Sequence, residues 1–170
     1  MGARYLPWES SIQGRIQLEL FANKKSLTLC KDEFAQSLRK AAEDDGVSVK
    51  YMEDATTPTG TCAVVITDSN RSLVANVSAA NNFNVAHLKK PEIDATVQRA
   101  KFFYVEGYFL THNIESALYL ANHAHDTGKT FMMNISAPFL AQFFKDQMSQ
   151  CTPYWDVIFG TFDEGITLKR

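Results

Sequence analysis

The second half of the chain alternates short apolar runs with longer amphipathic segments, and this order constrains the fold more than any other feature. Apolar runs that predict strands lie at 101–109, 130–136 and 155–160. The segments between them, 113–128 and 138–150, carry apolar residues at helical spacing. Strand–helix–strand order with short connections is typical of parallel βαβ units. The sequence therefore predicts an α/β fold, a three-layer α/β/α sandwich.

In such a sheet, ligands bind beyond the carboxyl ends of the strands. Those ends fall at Gly107-Tyr108, at 134–136 and at Gly160-Thr161. We therefore expect any functional site to lie along this edge of the sheet.

Two of these ends carry residues that allow a functional or a structural interpretation. Pro138 can open a helix whose free backbone donors suit an anion, while Phe139 is either part of a site or a core residue. Asp163 and Glu164 either organise a magnesium ion or form an acidic loop at a frayed end. For the two carboxylates the pattern slightly favours the loop.

The predicted helices are marked by apolar stripes and by glycines that end them. The stripe on 31–46 consists of Phe34, Leu38, Ala41 and Ala42, and Gly46 ends that helix. The stripe on 113–128 consists of Ile114, Ala117, Leu118 and Ala121, and the helix at 138–150 is predicted to turn Phe139, Phe143 and Met148 inward. A weaker helix is predicted at 12–21, a connector and helix at 87–100, and short strands at 26–30 and 47–52.

Residues 57–83 are rich in small and apolar residues and differ from the rest of the chain. Two alternating runs flank the turn-forming sequence Asp-Ser-Asn at 68–70, which predicts a β-hairpin. In the second run Arg71, Leu73 and Ala75 share one face. The hairpin therefore either covers a small polar ligand or is an ordinary surface hairpin with a solvated arginine, and the pattern alone favours the surface hairpin.

Composition and charge exclude several classes of protein. At 170 residues, with 45% hydrophobic and 12% aromatic content, the chain fits one globular domain. Its net charge of −2 gives no electrostatic footprint for nucleic acid or an acidic membrane. We find neither a signal-peptide layout nor an apolar run of the ~18 residues that cross a bilayer. Three widely spaced cysteines indicate reduced thiols, so we expect a cytoplasmic or nuclear location.

Two apparent motifs, a phosphate loop and a histidine metal site, are rejected on their spacing. The sequence DTGKT at 126–130 lacks the glycine that a phosphate loop needs five residues before Gly128, and it precedes a predicted strand. Gly128 is therefore interpreted as a helix stop. His123 and His125 lie two residues apart on a predicted helix and cannot jointly hold a metal, so we interpret them as surface residues.

Several motifs at fixed intervals resemble the adenosine kinase family of ribokinase-like (PfkB) sugar and nucleoside kinases. They are PTGTCAVVITDSNRSLVANVSAAN in the hairpin, AKFFYVEGYFLT and MNISAPFLAQFFKD at two strand ends, and PYWDVIFG at the third strand. The similarity continues upstream through KDEFAQSLRKAAEDDGVSVKY. We therefore interpret 31–170 as a partial ribokinase-like kinase domain with a small β lid at 57–83, and 1–30 as a diverged segment.

The resemblance implies phosphorylation of adenosine at the ribose 5′-hydroxyl, with ATP and Mg²⁺ as cofactors. It assigns Cys62, Leu73 and Ala75 to the lid's contacts with the nucleoside. It assigns Arg71 to the charge of the transferring phosphoryl group, which a guanidinium is suited to meet.

The resemblance also assigns three residues outside the lid. Tyr108 stands where the family has a phenylalanine at the adenosine pocket, and Phe139 matches the phenylalanine of the SAPF motif against the base. Glu164 matches the glutamate of the NxxE motif, which acts on ATP phosphate and, indirectly, on magnesium.

The chain departs from the family pattern in ways that bear on catalysis. Thr161 replaces the asparagine of NxxE, and the glycines that the family has around Lys31 and Phe34 are absent. Residues 1–30 show no counterpart of the family's N-terminal strand. The sequence contains no DTNGAGD-like loop, which supplies the general base and the anion hole. We expect a chain truncated at both ends that cannot turn over alone, because phosphoryl transfer depends on those groups.

Two alternatives to an adenosine kinase stay open. One is a non-catalytic relative that binds a nucleoside or a partner protein, and whose exposed sheet edge favours self-association. The other is a related sugar kinase, which the RSLVAN and SAPF motifs disfavour.

Overall fold

The computed structural model describes residues 28–68 and 70–169, and of residues 29, 70, 71, 166 and 169 it describes the backbone only. The predicted helix at 12–21 and the start of the predicted strand at 26–30 lie outside the described residues. In chain order the elements are β1 (Thr28–Leu29), α1 (Glu33–Asp44), β2 (Met52–Glu53), β3 (Thr61–Thr67), β4 (Asn70–Asn76), α2 (Val85–Leu88), α3 (Pro91–Arg99), β5 (Phe102–Val105), α4 (Ile114–Asp126), β6 (Thr130–Asn134), α5 (Pro138–Phe143), α6 (Lys145–Cys151), β7 (Val157–Phe159) and α7 (Phe162–Lys169). Single 3₁₀ turns span Ser78–Asn82, Gly107–Thr111 and Thr152–Tyr154.

Strands β5, β6 and β7 form a parallel sheet in that order, with helices in each connection. Phe103 pairs with Phe131, and Met133 pairs with Ile158. This arrangement confirms the predicted parallel βαβ units. Strand β5 is shorter than predicted, because the chain leaves the sheet after Val105 and forms the 3₁₀ turn Gly107–Thr111.

One face of this sheet carries the hydrophobic core. Phe103, Val105, Phe131 and Met133 alternate along β5 and β6 and are at most 3% exposed. Helix α4 packs against both strands through the buried small and apolar residues Ala117, Leu120, Ala121 and Ala124. Burial of a large side chain contributes roughly 1.5–3 kcal/mol, so this layer supplies most of the stabilisation of the sheet.

The ends of α4 follow from its sequence. The Asn113 side chain accepts a hydrogen bond from the Ser116 amide at 2.8 Å and caps the first turn. Gly128 adopts a positive φ of 65° after the last turn, a conformation that glycine accepts without strain. The interpretation of Gly128 as a helix stop is confirmed.

The opposite face of the sheet is open in the part of the chain that the structure describes. Phe102 and Phe159 are 48% and 50% exposed. The Tyr104 and Phe159 rings lie 6.0 Å apart across this face. No helix within residues 28–68 and 70–169 packs closely enough to bury these rings.

The predicted helix at 138–150 is two helices, and two of its three inward assignments are wrong. Phe144 interrupts the helix with φ −119° and ψ 29°, so the helical period does not continue from α5 into α6. Met148 is buried as predicted, but Phe143 is 76% exposed. Phe139, also predicted to point inward, is 41% exposed.

Helix α1 is confirmed, but its apolar stripe is not covered by the described residues. Phe34 and Leu38 are 61% and 42% exposed, and Ala35 is the buried residue of this helix. The predicted strand at 47–52 is reduced to β2, which pairs in parallel with β1.

Strands β3 and β4 form the predicted hairpin, in register from Thr61 opposite Asn76 to Thr67 opposite Asn70. Every side chain described in the two strands is exposed. Because neither face is buried, the alternation in the sequence marks strand geometry here and does not identify an inner face. Among residues 28–68 and 70–169, no helix combines the length and apolar character needed to cross a membrane.

Candidate functional site

The loops that follow β5 and β6 meet at the carboxyl edge of the sheet, where a site was expected. The Gly107 amide donates to Asn134 Oδ1 at 2.8 Å. A Cβ at residue 107 would lie 2.5 Å from the Asn134 carbonyl oxygen, so this approach requires glycine. The Ser136 hydroxyl also donates to Asn134 Oδ1 at 2.8 Å and accepts the Tyr108 amide at 3.3 Å. These bonds join the two loops into one junction.

The junction carries a pair of aromatic rings, one from each loop. The Tyr108 and Phe139 centroids are 5.9 Å apart, with the ring planes at 50°. This separation lies within the ~4.5–7 Å range of favourable aromatic pairs. Tyr108 packs against the core, whereas Phe139 stays 41% exposed. The pair therefore offers a partly open apolar surface against which a flat ligand can stack.

Tyr108 adds a hydroxyl group to this surface. Burial raises the pKa of the Tyr108 hydroxyl above 10.0, and the carboxylates of Glu106 and Glu164 raise this pKa further. The hydroxyl is therefore protonated at neutral pH and can donate a hydrogen bond.

Glu164 belongs to a helix start and not to the acidic loop that the pattern slightly favoured. The Thr161 amide donates to Glu164 Oε2 at 2.8 Å, and the Glu164 amide donates to Thr161 Oγ1 at 3.4 Å. This reciprocal pair is a capping box, and it begins α7. The sequence Thr-x-x-Glu at 161–164 carries that signal, and our interpretation of the sequence missed it. Glu164 is 8% exposed and lies within electrostatic reach of Tyr108.

The lid hairpin, defined as β3, β4 and their turn, leaves the body of the protein through a narrow base. A Cβ on Gly60 would lie 2.6 Å from the Val77 carbonyl oxygen, so the two chain segments touch there. The Ser78 hydroxyl and the Ala79 amide both donate to the Pro58 carbonyl, at 2.7 and 3.1 Å. The close approach makes Gly60 a structural requirement of the lid base.

Asp32 ties the lid base to helix α1. Its Oδ1 accepts the Ala35 amide as the N-cap of α1, and its Oδ2 accepts the Thr59 amide, each at 2.8 Å. These two amides hold the pKa of Asp32 below its usual 3.8. Asp32 lies in the KDEF part of the segment that resembles the family, where the sequence pattern predicts no role for it.

Asp54 makes a second tie on the other side of the lid base. It accepts the amides of Thr56 and Thr57 at 2.8 and 2.9 Å and the Asn82 side chain at 2.6 Å. These donors lower the pKa of Asp54 well below its usual value. Both chain segments that flank the lid are thus bound by carboxylates.

The residues assigned to the lid's inner contacts share one face of the hairpin. Cys62 pairs with Ala75, Leu73 pairs with Val64, and residues paired across an antiparallel ladder point to the same side. Leu73 is 56% exposed, so this face stands open. Arg71 has the same parity, and its side chain lies outside what the structure describes.

The structure therefore brings the assigned residues together as two groups, the lid face and the aromatic pair with Glu164. His125 is exposed, as interpreted, whereas His123 is half-buried against the Phe103 ring at 5.7 Å. Within residues 28–68 and 70–169, no group of three His, Cys, Asp or Glu side chains could hold a metal ion.

The described chain thus combines a parallel βαβ sheet, which carries an aromatic pair at its carboxyl edge, with a β-hairpin held at its base by carboxylates. The profile of the family described as pfkB family carbohydrate kinase matches residues 27–168. The chain belongs to this family, which confirms the resemblance drawn from the sequence motifs.

Several of the similar proteins are adenosine kinases. Adenosine kinase 1 of Arabidopsis thaliana is 49% identical over 140 residues, covering 82% of this chain and 41% of the relative. The adenosine kinase of Dictyostelium discoideum is 46% identical over 139 residues, with the same coverage. The crystal structure of Anopheles gambiae adenosine kinase in complex with P1,P4-di(adenosine-5) tetraphosphate matches with a TM-score of 0.80 at 48% identity, covering 83% of this chain and 42% of that one. The chain thus spans about two fifths of the length of the curated relatives it matches.

Proposed function

We propose that the chain binds adenosine between the lid hairpin and the Tyr108–Phe139 pair, as part of a kinase that transfers the γ-phosphoryl group of ATP to the ribose 5′-hydroxyl. The observation that carries the proposal is the aromatic pair, with centroids 5.9 Å apart and one ring open to solvent. A purine base has the flat apolar faces that such a pair accepts. Identities of 49% and 46% to adenosine kinases support adenosine as the substrate.

The lid supplies the remaining contacts in this proposal. Cys62, Leu73 and Ala75 lie on one open face, which gains burial if it closes over the nucleoside. Arg71 meets the charge of the transferring phosphoryl group, for which a planar guanidinium with several donors is suited. The complex of the Anopheles gambiae relative, whose ligand contains two adenosine groups joined by phosphates, supports a site for both nucleoside and phosphate.

Glu164 fits an indirect role towards Mg²⁺ and ATP. Magnesium keeps several of its water ligands and takes one or two carboxylates together with substrate phosphates. One oxygen of Glu164 already accepts the Thr161 amide, so we propose that the carboxylate contacts the ion through water. When bound, the ion would neutralise phosphate charge.

The 170 residues contain the lid and the aromatic pair but no DTNGAGD-like loop to supply a general base. We therefore expect the isolated chain to bind adenosine without phosphorylating it. A cytoplasmic or nuclear location stays a prediction.

The test is a calorimetric titration of the full 170-residue chain with adenosine, with ribose as the matched ligand that lacks the base. An assay with ATP and Mg²⁺ on the same sample measures turnover. Saturable adenosine binding without turnover is the expected result. Absence of binding at millimolar adenosine would refute the proposal, and equal affinity for ribose would favour a sugar kinase.

The role of Arg71 has its own readout. The Arg71→Ala variant is expected to lose affinity for P1,P4-di(adenosine-5′) tetraphosphate by about tenfold or more, since charge-assisted bonds to phosphate contribute about 1.5–3 kcal/mol. Its affinity for adenosine, which carries no phosphate, should change by less than about threefold. Equal losses for both ligands would contradict a phosphate-directed role.

A non-catalytic binding protein is the second candidate, and the open sheet face favours it. Phe102, Val157 and Phe159 present apolar surface beside the sheet edge, a combination that favours association. We expect the isolated chain to self-associate in sedimentation velocity runs, and Phe159→Lys to shift it towards monomer. A wild-type chain that stays monomeric at high micromolar concentration would exclude this route to self-association.

A further inference from the structure

The amides of Gly107 and Tyr108 open the 3₁₀ turn Gly107–Thr111 and therefore precede its internal hydrogen bonds. Buried or partly buried amides of this kind need an acceptor from elsewhere. Two side chains from the other loop provide it, Asn134 Oδ1 for Gly107 and Ser136 Oγ for Tyr108. The turn that carries the Tyr108 ring is thus capped across the sheet edge and not by its own neighbours in sequence.

Asn134 and Ser136 act as one unit. The Ser136 hydroxyl donates to the same Asn134 oxygen that accepts the Gly107 amide, so this oxygen receives two hydrogen bonds. Ser136 has a φ of 68°, in the left-handed region that non-glycine residues rarely adopt. A strained residue persists where its surroundings fix it, and here the two hydrogen bonds of its hydroxyl do so.

The same loop leads directly into α5, which carries Phe139. Residue 134 ends β6, and the Ile135 amide continues the sheet by donating to the Phe159 carbonyl at 2.9 Å. The Asn134 side chain therefore links a loop anchored to the sheet, which bears one ring, to the turn that bears the other ring.

We propose that Asn134 and Ser136 are positioning residues that set the gap between the Tyr108 and Phe139 rings. Neither needs to touch the ligand, because both act through the Gly107 and Tyr108 amides. For ligand affinity the inference rests on the proposed function. The ring spacing itself can be measured without any ligand.

The experiment compares Asn134→Leu, Asn134→Asp and Ser136→Ala in the full chain, with Asn122→Leu as the matched control. Asparagine 122 is exposed on α4 and bonds only to the Leu118 carbonyl in its own helix among the contacts of the described chain. Three quantities are measured: nuclear Overhauser contacts between the Tyr108 and Phe139 rings, hydrogen exchange of the Gly107 and Tyr108 amides, and adenosine affinity.

Asn134→Leu is expected to abolish the ring-to-ring contacts, to speed exchange of both amides by about tenfold or more, and to weaken adenosine binding by about tenfold, since a lost acceptor leaves amides unpaired. Ser136→Ala should speed exchange at Tyr108 more than at Gly107. Asn134→Asp keeps the accepting oxygen and should retain the ring contacts. Retained contacts in this variant mean that a substitution at residue 134 does not by itself unfold the chain. The control variant Asn122→Leu should match the wild type in ring contacts, amide exchange and adenosine affinity.

Ring contacts that persist in Asn134→Leu would overturn the positioning role. Lost ring contacts with wild-type adenosine affinity would show that the spacing does not serve the ligand, which overturns the link to binding. If wild-type protein binds no adenosine while Asn134→Leu loses the ring contacts and Asn134→Asp keeps them, the proposed function fails and the positioning role stands.

Discussion

The lid hairpin and the aromatic junction are held in opposite ways. Among residues 28–68 and 70–169, the strands of the hairpin pair only with each other, and Ile66 and Val74 are 73% and 70% exposed. The junction stands on β5 and β6, whose inward residues Phe103 and Phe131 are almost fully buried. Burial thus fixes the aromatic half of the site, while hydrogen bonds at its base fix the lid. In the proposed function, closure of the lid over adenosine would therefore leave the core undisturbed.

The largest expected effect separates the two regions by stability. Phe103→Ala removes a ring that is 2% exposed and should lower the free energy of unfolding by about 3–5 kcal/mol. Val74→Ala in the lid should change it by less than about 0.5 kcal/mol. Urea unfolding followed by circular dichroism measures both variants. A large loss in Val74→Ala would show that the lid packs against the body in solution.

A smaller effect is expected from the two glycines at close approaches. Gly107→Ala puts a Cβ 2.5 Å from the Asn134 carbonyl oxygen and should cost about 1–3 kcal/mol of global stability. Gly60→Ala, which meets the Val77 carbonyl at 2.6 Å, should speed amide exchange in β3 and β4 while moving the urea midpoint less. Gly165→Ala in α7 meets no atom within 4 Å and is the control. Equal losses of global stability in Gly60→Ala and Gly107→Ala would contradict the difference between the lid and the junction.

The smallest effect concerns pH at the lid base. The lowered pKa of Asp32 means that its stabilising contribution is complete above the unfolded value of 3.8 and is lost as pH falls through the lower folded value. The amide chemical shifts of Thr59 and Ala35 should therefore titrate together, with a midpoint below 3.8. Asp32→Asn should remove this titration. A midpoint at or above 3.8 would contradict the two hydrogen bonds.

The fold could be predicted where local pattern and tertiary burial agree. The predictions of β5, β6 and the helix ended by Gly128 were correct because the apolar residues of each element pack into the hydrophobic core. The predictions for Phe139 and Phe143 failed because α5 buries Leu140 and Ala141 instead, so the two phenylalanines, four residues apart, share the outer face of this helix. Helix α7 (Phe162–Lys169) was missed although its capping box, Thr161 with Glu164, is visible in the sequence.

The site was predictable only in part. The aromatic residues Tyr108 and Phe139 came from the motifs that resemble the family, and the structure places their rings 5.9 Å apart. The ties made by Asp32 to Thr59 and by Asn134 to Gly107 join residues 27 positions apart in both cases. Contacts between residues so distant in sequence have no local signature, so the hydrogen bonds that position the lid and the rings could not be predicted from the sequence.

The most direct test of the central claim compares two phenylalanines of the same helix. Phe139 lies in the aromatic pair and is 41% exposed, while Phe143, four residues later in α5, is 76% exposed and lies outside the pair. Calorimetric titration with adenosine should show a loss of affinity of about tenfold or more in Phe139→Ala, since each tenfold corresponds to about 1.4 kcal/mol, and wild-type affinity in Phe143→Ala. Equal affinity in the two variants would contradict adenosine binding at the aromatic pair.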